Sequence, residues 1–448
     1  GGSNVAVGRC ALKLNTASNN VAVGYHSMCT NSSGTENTAI GLASLKSNTT
    51  ANHNTALGNQ TLCKNTTGAS NTAVGSCALE ANTTASNNTA VGFCALSANT
   101  TGANNTSVGR RSMLDNSTGA GNVALGLNAL ENNTTANDNV SIGLSSMATN
   151  TTGASNVAVG KDALGSNTTA DNNTAVGFKS LEANTTGQCN VAIGADSLDS
   201  NTTGSGNVAI GADSLQGNTT GFSNVSIGED AMKTNSTAAC NVAIGAAALC
   251  TNSTGHSNVA IGYTALICQT TANNNVAVGF ASGRKTTTGA GNTTVGTNAG
   301  CNLTSGSNNT FLGDIAGTDS VRNTAAGDNE IVIGNNSNTS AFIKISFTVT
   351  SDLRDKTQIK DVPHGLDFIN QITPIEYKFK KSREDETPSG PTKYGFKAQE
   401  ILALEGDNPV IINNEDEENL KLTEAHLVPV LVNAIKELKA KIDELKNK

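Results

Sequence analysis

NVAVG at Asn4 returns at Asn20, and from Asn37 to Asn309 its variants recur every 17 residues without a slip. A fixed period of this length constrains a chain more than any local propensity, because each unit must stack on its neighbours to bury anything. Counted from its glycine, the unit reads G-x-x-[AS]-[LM]-x-x-N-[TS]-T-[GA]-x-x-N-[VT]-[AS]-[VIL], with occasional departures. Gly194 to Ile210, GADSLDSNTTGSGNVAI, is one copy. The last good copy, NTFLG at Asn309, precedes a degenerate one, NEIVIG at Asn329.

In NVAIG the large aliphatics alternate with Ala, a period of two that predicts a short strand. A second short β-stretch is expected around Ser197 and Leu198. Between them, N-T-T-G and x-x-N are turn chemistry, because Asn tolerates left-handed backbone and Gly allows positive φ. The unit has Asn, Thr and Gly throughout and no 3.6-residue apolar stripe, so helix is not expected. The fold expected is mainly β, a parallel β-solenoid or β-roll in coils of 17 residues. Each unit offers two large apolar side chains to bury, Leu198 and Ile210 in the copy above. That is thin cover for the backbone entropy lost on ordering a coil. Several chains pooling their apolar faces along one axis would repair it, so a homo-oligomer is expected, with a homotrimer favoured. At about 4.8 Å per coil, twenty coils make a rod of roughly 95 Å. These repeats resemble the head region of trimeric autotransporter adhesins, and N-T-A-[VI]-G repeats like them occur in fibre-like proteins of phages and large algal viruses. The resemblance spans residues 4 to about 334; it implies a rod and is silent on ligand.

Three features of the repeats invite chemistry. Asp162, Asp196, Asp213 and Asp230 each fall two residues after the repeat glycine, the last three on consecutive coils. Carboxylates about 5 Å apart match the spacing of a retaining glycosidase and could hold Ca²⁺. Other coils carry Lys179, Asn128 or Cys77 at that place, which favours a solvated turn position open to any polar residue. Cys77 and Cys94 share a phase on adjacent coils, within disulfide range, yet C-x-x-C pairs for zinc are missing and free, mostly buried thiols are the expectation. Repeated Thr, as in Asn201-Thr202-Thr203, raises an ice- or sugar-binding face and, in a secretory pathway, glycosylation. The preferred reading is that Thr suits β-structure and turns.

Near residue 350 the chain changes regime. All ten Cys lie before Ser351 and all six Pro after it, and the last 98 residues hold 34 of the 64 charged ones. Three segments follow: a repeat fibre over 1–334, a β linker over 335–350 and an α-rich α+β domain over 351–448. In the last, a helix is expected from Gly365 to Gln371, then a strand IEYKFK, a charged Pro/Gly loop from Arg383 to Thr392, a helix begun by YGFKAQEILALE, an acidic turn NNEDEEN, and a terminal helix. Along that helix Leu431, Ile435, Leu438, Ile442 and Leu445 are spaced four, three, four and three, a coiled-coil seam of about two heptads. The alternative is an amphipathic helix that covers its own domain.

The blocks S-D-x-R-x-K (Ser351, Asp352, Arg354, Lys356), GLDFINQITPIEYKF, YGFKAQE at Tyr394–Glu400 and LVPVLVNAIKELKAKIDEL resemble, in that order, the intramolecular chaperone (peptidase S74) domain that ends many phage tail spikes and fibres. Lys397 stands where that family usually has an apolar residue. The resemblance implies a domain that drives trimer assembly and then cuts itself off between Thr350 and Ser351, with Ser351 as nucleophile and Lys356 as base. The residues allow it. A serine hydroxyl needs a base, and a lysine whose neutral form is favoured by burial or a nearby cation can serve. Arg354 could supply that cation, or could pair with Asp352 or Asp355. Ser351 could otherwise simply cap a helix, with Lys356 a surface charge. A long stack of near-identical coils can slip by one coil, so a separate domain that aligns the chains first has a physical purpose.

The net charge of −8 gives no support to a nucleic-acid partner, and no apolar run approaches membrane-spanning length. No cofactor or metal is expected. The chain begins Gly-Gly-Ser rather than Met, as a piece of a longer protein would. The function expected is a virion fibre or spike, assembled in the host cytoplasm, with a self-cleaving serine endopeptidase at its C-terminus. A trimeric adhesin or glycan-binding rod with a non-cleaving assembly tail is the alternative.

Overall fold

The computed structural model describes residues 2–318, 322–323, 325–338, 351–380, 383–414 and 417–447. They fall into two compact units, Gly1–Asn335 and Asn336–Lys448. Most of the expected linker, including Thr350, lies outside the described residues.

The first unit is a parallel β-solenoid of twenty three-residue strands, β1 (Val5–Val7) to β20 (Ile331–Ile333). Each strand pairs with the next at one repeat: Val191, Ala192 and Ile193 of β12 (Val191–Ile193) sit beside Val208, Ala209 and Ile210 of β13 (Val208–Ile210). The ends depart from this step. β1 pairs with β2 (Val21–Val23) through Val5 and Val21, and β19 (Thr310–Leu312) pairs with β20 through Thr310 and Ile331 across a longer loop. The pleat follows the alternation in the sequence. The middle residue, Ala192 or Ala209, is fully buried, while its neighbours face outward.

Opposite the strand, the expected second β-stretch is a run of turns. Asp196 and Leu198 have φ of 52° and 54°, and the same two places are left-handed in nearly every coil. Alternate residues in the left-handed region bend the chain back on itself within six residues, which no strand could do. Coil-to-coil hydrogen bonding continues regardless: Leu198 N–H donates to Ser214 O at 3.0 Å and Asp196 N–H to Phe178 O at 2.9 Å. The turn points Leu198 inward, fully buried, but Ile210 stays half-exposed on the outer face of the strand. Only one of the two large apolar side chains expected inside therefore enters the coil.

Asparagine fills the rest of the interior. One column runs Asn190, Asn207, Asn224, another Asn184, Asn201, Asn218, all fully buried. In the first, Asn207 Oδ1 accepts the Asn224 backbone N–H at 3.0 Å, and Asn207 Nδ2 donates to Gly221 O at 2.9 Å. In the second, Asn218 Nδ2 donates to Asn201 Oδ1 at 2.8 Å and to Gly221 O at 3.0 Å. A carboxamide carries both acceptor and donors, so each rung satisfies the next, and buried backbone groups at the turns find partners.

The second unit has its own core of Phe368, Ile401, Ile411, Ile412, Leu427 and Val430. Its elements are α1 (Leu366–Ile369), an antiparallel pair β21 (Ile375–Lys380) and β22 (Pro388–Gly395), α2 (Ala398–Glu405), a short pair β23 (Ile412–Asn413) and β24 (Lys421–Leu422), and α3 (Leu427–Lys446). The C-terminal part of the expected Pro/Gly loop is thus strand β22. A two-stranded sheet is all edge, so Pro388 and Pro391 need no inner ladder bond.

Candidate functional site

Ser351 begins the described stretch 351–380 of the second unit, and a single tight turn follows it. Asp352 is the N-cap of a 3-10 turn over Leu353–Asp355: its carboxylate accepts the Arg354 N–H at 2.9 Å. Lys356 ends that turn, its N–H donating to Leu353 O. The turn folds the lysine back over the serine. Lys356 Nζ lies 2.7 Å from Ser351 Oγ and 3.2 Å from Ser351 O. Ser351 and Lys356 are both exposed in the single chain.

Arg354 does not face the lysine. Its guanidinium grips Asp352, with Nε 3.1 Å from Oδ1 and Nη2 2.6 Å from Oδ2. This hydrogen-bonded pairing holds the Asp352 carboxyl below the usual carboxylate range and pushes the Arg354 pKa up. Of the two partners open to Arg354 in the sequence, Asp352 is the one it takes. Asp352, not Ser351, fills the capping role.

Behind the turn, α3 is fastened to the segment before α1. Asn433 Nδ2 donates to Val362 O at 3.0 Å, and Glu437 accepts the Leu366 N–H at 2.8 Å. Glu405 accepts the N–H groups of Val410, Ile411 and Ile412. Local motifs did not reveal these polar anchors, because Asn433 and Glu437 meet partners some 70 residues away. A polar residue that interrupts an otherwise apolar helix face was the available signal. Leu427, Val430 and Ala434 pack inward, whereas the seam residues Leu431, Ile435, Leu438, Ile442 and Leu445 are exposed. The helix thus carries one broad apolar stripe, covered by its own domain along one edge and bare along the other and towards its C-terminus.

The features of the repeats have structural roles of their own. Asp213 and Asp230 are joined by Lys233, whose Nζ is 2.9 Å from one carboxylate and 2.8 Å from the other. Those hydrogen bonds push the lysine well above its usual range. Among the described residues, no three His, Cys, Asp or Glu side chains gather as metal ligands would. The cysteines are free thiols, but none is fully buried: Cys189, Cys240 and Cys268 are exposed and the rest half-buried. Their columns lie on the outer side of the turns, which corrects the expectation of mostly buried thiols. Partial burial and the neighbouring Cys77 thiol push the Cys94 pKa up. In the N-T-T triplets the first hydroxyl is consumed between coils, Thr202 Oγ1 donating to Thr219 O at 3.1 Å.

Residues 351–408 match the family model Peptidase_S74, described as chaperone of endosialidase. The match takes in the Ser351–Lys356 turn, α1, the β21–β22 pair and α2; α3 lies beyond it. No curated protein and no solved structure matches the chain. A C-terminal domain of this kind behind a parallel β-solenoid fits a tail-fibre-type protein.

Proposed function

We propose that residues 1–334 form the shaft of a homotrimeric viral or phage fibre or spike, and that residues 351–448 assemble it and then sever themselves from it. The observation that carries the cleavage is the 2.7 Å approach of Lys356 Nζ to Ser351 Oγ. The neutral Lys356 amine takes the hydroxyl proton, and Ser351 Oγ attacks the Thr350 carbonyl carbon. The Thr350–Ser351 amide bond then breaks, and its nitrogen leaves as the Ser351 amine with the proton returned by Lys356. Water hydrolyses the resulting ester and frees both pieces. Asp352 and Arg354 act through the turn they stabilise and touch none of the reacting atoms.

Exposure of the pair in one chain links the chemistry to assembly. A solvated lysine is an ammonium donor, not a base; enclosure by neighbouring chains favours its neutral form. Cutting would then report a completed trimer, and loss of the tail would make the shaft kinetically stable. Wild-type protein should give fragments of about 350 and 98 residues on denaturing electrophoresis, the smaller with Ser351 at its N-terminus, and Ser351→Ala and Lys356→Ala should remain whole. An assembled wild-type trimer that stays intact would defeat the protease reading. Virion association and host-surface glycan or receptor binding by the shaft follow from the fibre reading, and a glycan array probed with the mature shaft tests the latter.

A further inference from the structure

The outward positions of the twenty strands form one uninterrupted surface. The third residue is Val, Ile or Leu in every strand, the first is Val, Thr or Ile, and neither carries a charge anywhere. None of these third positions is buried: they run from half-buried, as at Ile210, to exposed, as at Ile193 (39%) and Leu57 (44%). Next to it, the residue after the repeat glycine supplies a mixed column, with exposed aromatics such as Tyr25 and Tyr263, exposed leucines such as Leu42 and Leu127, and charges such as Arg110 and Lys161. Tyr263 and Phe280 stack there with centroids 5.6 Å apart. The turn columns on other sides of the coil are mixed, mostly hydroxyls, amides and charges such as Asp213 and Lys233, with single exposed residues such as Phe222 and Cys189 among them.

We infer that this strand ribbon is the surface along which copies of the chain pack, parallel and coil against coil, to form the shaft. The inference rests on the homo-oligomer reading above and says which face the oligomer uses. An uncharged centre of aliphatic and Thr side chains, with exposed aromatics and leucines beside it, has the charge-depleted composition of an interface core. The period identifies the partner. Whatever covers the ribbon must repeat at the strand spacing of about 4.8 Å over its whole length, and a parallel copy of the same solenoid does so. Burial at this face also supplies the second large apolar side chain per coil that the single chain leaves outside. Uniformity has a cost: a slip of one coil replaces aliphatic with aliphatic at every centre position. The ribbon supplies adhesion without alignment, and alignment must come from elsewhere on the chain.

Two variants of the full chain test this. Ile193→Lys with Ile261→Lys puts ammonium groups on the ribbon at positions already outside the coil, so solenoid circular dichroism should persist while light scattering shows loss of the oligomer. Ile142→Cys lies on the ribbon and Thr152→Cys on the exposed turn column, both far in sequence from native cysteines. Copper-phenanthroline oxidation should cross-link the first into covalent multimers above the wild-type background and leave the second at background. A wild-type monomer overturns both the oligomer and the face. A wild-type oligomer that tolerates both lysines, or that cross-links through Thr152→Cys and not Ile142→Cys, overturns the face alone. Should the lysine variant fail to fold, the cross-linking pair still decides.

Discussion

The Asp352 carboxylate accepts the Arg354 backbone N–H at 2.9 Å while the Arg354 guanidinium closes on the same carboxylate. One residue thus caps the turn and binds the Arg354 guanidinium, while Ser351 Oγ meets Lys356 Nζ. Asp352→Ala should slow self-cleavage several-fold through loss of turn geometry, with the lysine still present. Asp352→Asn keeps a capping acceptor and should fall between it and wild type. The acid dependence has a definite sign. Because the Asp352 carboxyl is held below its ordinary value, the stabilisation it gives is present above the ordinary aspartate range and lost as pH falls through its lowered value. The ratio of wild-type to Asp352→Asn cleavage rates should therefore hold from neutrality into mildly acid solution and converge below that range.

The repeat glycine and the variable residue before the buried Asn make a matched pair. Gly211 has φ +129°, and a Cβ there would sit 2.7 Å from the Gly228 carbonyl oxygen of the next coil. Gly206, at φ +69°, has nothing nearer than 3.8 Å, and Asn172 and Ser223 hold the same place in other coils at φ 60° and 55°. Gly211→Ala should lower thermal stability by several degrees or prevent folding, because backbone rather than a pliable side chain blocks it. Gly206→Asn should be neutral within about 0.5 kcal/mol. A melt followed by circular dichroism separates the two.

Asn207→Ala removes four bonds at once, two of them to the neighbouring asparagine side chains of its column. The Asn224 N–H loses its acceptor and the Gly221 carbonyl one of its donors, in a fully buried column where water cannot substitute. About 1–3 kcal/mol is expected for each group left unsatisfied. Asn207→Asp should be worse, since a carboxylate has no donor for Gly221 O and brings a buried charge. Denaturant unfolding of uncut variants measures both.

How far the sequence could be read depended on what each residue repeats against. Period and strand position were legible from the recurrence and the alternation, but the inward face of the pleat was not: Ile210 was expected inside, and Ala209 takes that place. Nor was the turn at Leu198. A buried leucine beside a serine reads as strand, and only backbone at φ 54° shows otherwise. The asparagines were read as turn residues, as their propensity suggests. Their recurrence at two places per coil, broken in the second column only late, by Gln269, Thr286 and Leu303, while Asp196 or Ser205 varied freely, was the sign of an interior column. At the candidate site, the meeting of Ser351 with Lys356 was expected, but the division of labour that gives Asp352 the cap was not, because both Ser and Asp are competent caps.

Helix α3 poses the sharpest test of how the tail counts its chains. Leu427, Val430 and Ala434 hold it to its own domain, and Leu431, Ile435, Leu438, Ile442 and Leu445 leave a bare seam. Twenty residues are marginal as an isolated helix, so the seam needs partners. With spacings of four and three, Ile435 and Ile442 take the a positions and Leu431, Leu438 and Leu445 the d positions, a pattern that by itself favours two strands, whereas Ile at both favours more. If three copies of the tail meet along this seam, the number three is imposed by the body of the domain against the preference of the helix. Leu438→Ile with Leu445→Ile should then raise the melting temperature of the uncut Ser351→Ala oligomer. Leu438→Asp should abolish assembly and, with it, cleavage of the otherwise wild-type chain. Light scattering gives the number of chains and a thermal scan the direction of the shift. A lower melting temperature in the double isoleucine variant would mean that the helices pair in twos, and the trimer would have to be sought in the shaft alone.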